Sequence, residues 1–517
     1  MRTLGAGALF LLSLPLLAAT TYYVSPSGSD GNNCKSADSP CATIRAASLR
    51  AVLPGDVVEV APGVYNERLT IRTGGTEEAP ITYRGHSGSG CPVVRNTDLN
   101  SRGERPAPSA EMLGFSIEAS NLRFECFLVK GYQAGETNSA FAIKPKINNI
   151  TILDNVVDGM DKAGIPWAGV SLKSAVGLPD MASNIFISRN YVVGTSYGFM
   201  IYCKENCVIE DNEVERLRAG DNDYSRIFGE YIAFRRNYFH GNRMDECGGC
   251  HSDCFQTYNI GGIDNVARHV VIDSNTCFEA HQGILARDTK SINPEQFDSH
   301  SDWLVKNKVF GFGPEGSVMS WCAMFEHIGS VTFIHNLCYG GANTAYSAGT
   351  VSRHAYNIHY KGSWKPYTGA VNGWAPASSV SADSNMLLRD SGYYTPSQWA
   401  GTDVVNVNPL FVDEARRNFR LMSTSPARNK AYGSTEAWDH TGSDRPGNST
   451  PSIGPYEVQS DTTSDDKPAT GNAKNNSVKQ QLQQYRAAAA PASSYQQNTY
   501  VAPKRQQIKP VVIPKVR

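Results

Sequence analysis

The chain has 517 residues, 19% of them charged, and a formal net charge of −1 at pH 7. That balance excludes a nucleic-acid-binding domain, which would normally be strongly basic. Together with 46 glycines, it fits a β-rich extracellular protein. Length alone suggests two to four domains, but a solenoid escapes that arithmetic because each coil contacts only its neighbours.

Residues 1–20 read as a secretory signal: Arg2, an apolar stretch from Leu4 to Leu17, then the small residues Ala18, Ala19 and Thr20. The stretch is too short to span a bilayer, and no later segment is apolar enough to do so. A secreted protein without a membrane span is expected, and its twelve cysteines are an even count compatible with disulfides. Cys34 and Cys41 flank a polar loop and form an expected pair. Cys203 and Cys207 bracket one turn.

Residues 21–112 form the expected entry cap and first coils. Tyr22 to Gly31 gives a strand and a turn, Ala42 to Leu53 has helical spacing for a cap helix over the open end, and Gly55 to Tyr65 starts the first coil. The main coils run from 113 to 390. Within them one phrase recurs seven times: alternating apolar residues, an asparagine, then more apolar residues. The asparagines are Asn155, Asn190, Asn212, Asn237, Asn275, Asn307 and Asn336, and subtracting successive numbers gives spacings of 35, 22, 25, 38, 32 and 29. Alternation marks strands with one buried face, and a phrase repeated at such intervals marks stacked coils. The shortest spacing matches one turn of a parallel β-helix. Leucine-rich repeats and propellers fit less well, because the spacing is irregular and their signature residues are missing. The asparagine suits the bend between two strands, where left-handed angles are tolerated, and its amide can bond to its equivalents up and down a ladder. Cys277 and Cys338 both follow their asparagines closely and belong to one wall, a coil or two apart. Residues 391–457 are the exit segment. From 458 to 517 the composition turns to Gln, Asn, Ser, Ala and Pro, the mark of a disordered, mildly basic tail.

The entry phrase Tyr22 to Asp30, the stretch Pro40 to Ile44, the stretch Gly55 to Tyr65, and the exit phrases Asn408 to Asp413, Ser425 to Ala427 and Ile453 to Glu457 resemble the secreted right-handed parallel β-helix superfamily, particularly pectate-lyase-like polysaccharide lyases and relatives. The resemblance covers roughly residues 21–457. It implies an all-β, right-handed parallel β-helix solenoid whose activity the fold alone leaves open.

Aligning coils on the asparagines brings Lys144, Lys173, Tyr202, Tyr258 and Arg287 into register on the preceding strand. Cations and tyrosines in one outer stripe suit an acidic polysaccharide, whose carboxylates they neutralise and whose rings they stack on. The densest polar run is Met244 to Gln256, followed one coil later by Glu279 to Gln282. Asp253 and Gln256 fall near the groove face, and His281 joins them as a substrate-binding candidate. Asp245, Glu246 and Asp253 are candidate ligands for Ca²⁺, which takes six to eight oxygens. In the lyases this chain resembles, Ca²⁺ acidifies the uronate C5 proton and a Lys or Arg removes it, which makes Lys173 and Arg287 the candidate bases. A base of that kind must be deprotonated near neutral pH. A hydrolase would instead pair carboxylates about 5–10 Å apart, with Asp253 and either Glu279 or Asp288 as its candidates. A non-catalytic carbohydrate-binding or envelope-associated protein and an epimerase are the further alternatives. Cys247, Cys250 and His251 match the haem attachment pattern. With Cys254 they are also readable as a disulfide cluster or a zinc site.

Overall fold

The computed structural model describes residues 18–458, apart from 87–89, 96–113, 131–138, 161–167, 173–177, 219–221, 247–250, 260–265, 288–301, 315–318, 327, 341–342, 348–350, 362–378, 389–401 and 448. The tail expected beyond 458 lies outside the described residues. The chain folds as a right-handed parallel β-helix with three walls, the hand expected of parallel crossovers between right-twisted strands. One coil illustrates the order: Ala168–Leu172 lies in wall C, Ala182–Ser188 in wall A and Tyr191–Val193 in wall B. Each strand pairs in parallel with its equivalent one coil away, as Ala168–Leu172 does with Ser139–Ile143 and Tyr191–Val193 with Val156–Asp158. Two strands, Tyr197–Glu210 and Ser225–Arg235, run unbroken around the corner from wall C to wall A.

The asparagine ladder is the internal seam between walls A and B. Asn155 donates from Nδ2 to Asn190 Oδ1 at 3.0 Å, Asn190 to Asn212 at 2.9 Å, Asn212 to Asn237 at 3.0 Å and Asn237 to Asn275 at 2.9 Å. A second run, Asn336, Asn357 and Asn385, continues it. The left-handed residue is not the ladder asparagine but the one before it: Asp154, Arg189, Asp211, Arg236, Ser274 and His335 all have φ between 53° and 57°. The bend and the ladder are therefore separate positions, one shaping the backbone and the other satisfying it.

Asn307 departs from the expected role. It takes the left-handed position, with φ 52°, and Lys308 fills the ladder position, where its backbone N–H donates to Asn336 Oδ1 at 3.1 Å. The Lys308 side chain is fully buried. Its Nζ lies 3.4 Å from the Phe310 ring centroid and 3.1 Å from Cys322 Sγ. Desolvation holds its pKa well below the ordinary lysine value. An unfolded chain thus binds a proton that the folded one sheds, so stability rises with pH up to about 10. Lys308→Met keeps the packing without the charge. It is expected to raise the melting temperature at pH 7 by roughly 3–6 °C, with the advantage shrinking as thermal scans are taken towards pH 10. A constant offset across those scans would contradict the buried lysine as its cause.

The helix anticipated between Ala42 and Leu53 is a single short turn, Ile44–Ser48, whose N-cap Thr43 accepts from the Ala46 N–H. Disulfides join Cys34 to Cys41 and Cys203 to Cys207, as the spacing indicates, and also Cys91 to Cys126. Cys277 and Cys338 share wall B two coils apart, but each bonds to wall C, Cys277 to Cys254 and Cys338 to Cys322. Cys254 is therefore not available to a zinc ion. Cys247 and Cys250 lie outside the described residues. No helix among the described residues is long and apolar enough to cross a membrane.

The exit segment lies against the corner of walls A and B and ties several coils at once. His440 meets Thr276 and the Asn307 carbonyl, Ser434 meets His335, and the Tyr432 carbonyl accepts from Tyr356. Tyr339, Tyr360 and Lys361 converge on Glu414.

Candidate active site on wall C

Wall C begins at a tight corner that decides which side chains face outward. Gly169, Gly198 and Gly283 stand in one row, where a Cβ would strike the core side chains of Val192, Val214 and Phe310. Residues of the preceding row, Tyr197, Asp223, Asp253, Gln282 and Trp321, are in register by pairing. They meet a second outer row three residues on: Met200, Arg226, Gln256, Leu285 and Met324. A third row follows two residues later and holds Tyr202, Phe228, Tyr258, Arg287 and Glu326.

The polar centre is built from the first two rows. Arg226 donates from Nε to Asp223 Oδ2 at 2.5 Å and from Nη1 to Tyr258 Oη at 3.1 Å. Its guanidinium sits 4.7 Å from the Tyr197 ring centroid and 5.4 Å from that of Tyr258, within cation–π range. Burial works against the Arg226 charge, but Asp223 and the two phenols outweigh it and hold its pKa above the ordinary value. Asp223 Oδ1 accepts the Asp253 backbone N–H at 2.9 Å. Asp253, fully buried, accepts from Gln256 Nε2 at 2.9 Å. The Gln282 Nε2 lies 3.3 Å from His251 Nε2, and the His251 and His281 rings are 5.1 Å apart. His281 Nε2 is 3.1 Å from Ser320 Oγ. Desolvation, with the nearby His251, lowers the His281 pKa.

The expected stripe is thus in register but interrupted. Tyr202 is nearly buried, its ring stacked 4.6 Å from Phe228, so that face is not free for a sugar. Val266 bridges antiparallel to Phe228 on the same wall. Lys144 is half-buried at the preceding end. Arg287 donates to Glu326 at 2.7 Å. Lys173 and Asp288 lie outside the described residues, and Glu279 pairs with Arg417 instead of joining Asp253.

The expected calcium ligands do not converge. Asp245 is exposed and pairs with Arg243, Glu246 pairs with Arg216, and Asp253 is buried beside Gln256. Among the described residues the group that does converge is Glu213, Glu215 and His240, whose ligand atoms lie within 4.8 Å of one another. That group lies on wall B, and an imidazole with two carboxylates suits a transition metal better than an oxygen-seeking calcium ion. Sequence reasoning missed Asp223 and Arg226. Setting Arg226 beside Gln256, the register the wall adopts, brings Asp223 level with Asp253.

No family model matches the chain. A stretch of 138 residues is 28% identical to the uncharacterized protein YwoF of Bacillus subtilis (strain 168), and it spans 27% of this chain and 28% of that protein's length. The solved structure of XylC with xylose covers 85% of this chain and 98% of its own, with a TM-score of 0.51 at 10% identity. Pectate lyase Pel9A gives 0.44 at 16% identity over 86% and 98%. The PL6 family polysaccharide lyase Pedsa3628 from Pseudopedobacter saltans gives 0.46 at 11% over 74% and 95%. At these identities the likeness is one of fold. Together with the stacked walls, the likeness to XylC marks the chain as a parallel β-helix.

Proposed function

We propose that the chain is a secreted, polysaccharide-acting enzyme that cleaves a uronate-containing glycan by β-elimination along the outer face of wall C. The observation that carries this reading is the Arg226 centre: a guanidinium held charged between two tyrosine rings, linked through Asp223 to Asp253 and in register with Gln256. Coils repeat about every 4.8 Å along the axis, a spacing on the scale of one sugar unit, so a glycan lying along the wall meets one set of side chains per ring. In elimination a base takes the C5 proton, the C4–O4 bond breaks to leave a C4=C5 double bond, and O4 leaves with a proton. Lys173, Arg287 and Asp253 are the proposed catalytic groups. Arg287 must release Glu326 before it can serve either substrate binding or proton removal. Lys144, Gln256, Tyr258 and His281 are the proposed substrate contacts, and Tyr202, the remaining candidate, is a positioning residue that packs on Phe228.

Incubating the protein with pectate, alginate and glycosaminoglycans should release products with the ultraviolet absorbance of an unsaturated uronate. Absence of that absorbance on every uronate polymer would overturn the reading. A second reading has an observation of its own: Asp223 accepts the Asp253 backbone N–H across adjacent coils, which sets two carboxylates side by side, a pair such as hydrolysis requires. New reducing ends without unsaturated product would select it, and glycan retained without any turnover would mark a binding protein.

A further inference from the structure

The first two outer rows of wall C contain polar atoms that the protein leaves unfilled. Gln256 and Gln282 are both more than nine-tenths buried, yet Oε1 of each has no hydrogen-bond partner, nor has His281 Nδ1. Both amide atoms of Asn222, beside Asp223, are in the same state. Buried polar side-chain atoms are normally paired, so several orphans on neighbouring coils require an explanation.

Their chemistry is one-sided. Asp253 accepts only, so it fixes the Gln256 amide with nitrogen towards the carboxylate and oxygen away. Gln282 turns its nitrogen towards His251. What remains on the two glutamines is a pair of oxygen acceptors, and Arg226, in register with Gln256, is already bound to Asp223 and Tyr258. A bare carboxylate placed here would meet Asp253 and two carbonyl oxygens. A sugar hydroxyl, which donates one hydrogen bond and accepts others, would satisfy them.

We infer that Asp253, Gln256, Gln282 and His281 form a subsite for an uncharged sugar ring, read through adjacent hydroxyl groups, so that the glycan carries a neutral sugar beside the uronate. The inference rests on the polysaccharide reading above and narrows its substrate to a mixed polymer. The Gln282 oxygen takes one hydroxyl proton and the Gln256 oxygen another. His281, half-buried with its charged form disfavoured by desolvation, offers its remaining nitrogen to the same pair. Trp321, packed on Leu285 and Met324, forms an apolar edge one coil further on.

The test uses the full chain and saturation-transfer NMR with methyl glycosides of xylose, galactose and rhamnose, each run beside a methyl uronoside. The neutral glycosides should receive saturation and the uronosides should not compete with them. Gln282→Leu should weaken the neutral glycosides at least tenfold. Gln256→Glu, which sets a second carboxylate against Asp253, is a check should the leucine variant fold poorly, and it should weaken them too. Failure of every neutral glycoside to bind, or binding by both variants as tight as by the parent, would overturn the inference. The two readings fail separately. Neutral glycosides bound without any unsaturated product from uronate polymers remove the elimination reading alone. Uronate cleavage without neutral-sugar binding removes only the subsite.

Discussion

Asp253→Asn is expected to lower uronate-polymer cleavage by roughly a hundredfold or more, the scale of losing a general acid or base, while the melting temperature stays within a few degrees. The side chain accepts from Gln256 Nε2 at 2.9 Å, and an asparagine oxygen can accept the same bond. The Asp253 backbone N–H to Asp223 does not involve the side chain at all. Shape and local bonding thus survive, and only charge and proton affinity are lost. Initial rates on a cleaved polymer, set beside a thermal scan, separate the two roles. Full activity, or a melting temperature far below that of the parent, would mean that Asp253 holds the coil and does no chemistry.

The largest stability loss is expected from Asn212→Ala. Asn212 Oδ1 accepts from both the backbone and the amide of Asn190, and Nδ2 donates to the Ile187 carbonyl and to Asn237. Alanine leaves these buried partners without their bonds. Each such orphan costs about 1–3 kcal/mol, so a loss of at least about 3 kcal/mol is expected, in the range reserved for broken buried networks. Denaturant titration measures it. A loss below about 1 kcal/mol would show that the ladder shapes the turn without stabilising it.

The two variants probe features that were unequally visible in the sequence. Alternation before each asparagine is local, so the walls and most ladder positions could be read from Ile150 to Asn336. Asn307 misled because the left-handed and ladder positions are adjacent, and in this coil the asparagine moves back by one while Lys308 enters the core. Asn357 and Asn385 escaped because His354 and the small Ala382 stand in the row that Phe333 holds in the coil before them. The site was half legible. Asp253 and Gln256 stand out in a dense polar run, whereas Asp223 and Arg226 sit in a short one, and their meeting with Asp253 depends on coil register thirty residues apart, which no local pattern encodes. The separation of the three expected calcium ligands has a related reason. Asp245 and Glu246 are neighbours of Asp253 in sequence, but arginines draw them away from it.

The exit segment gives the C-terminal half a different mechanical character from the N-terminal half. Arg445, fully buried, bonds to Asn307 and to the Gly454 carbonyl, while its neighbours reach Thr276, His335 and Tyr356. A solenoid pulled from its ends sheds coils one at a time, because each is held only by those beside it. Here a single strap crosses several coils, so the end nearest the C-terminus resists peeling until the strap itself lets go, and then releases them together. Under load the first coils would leave in small steps and the last in one.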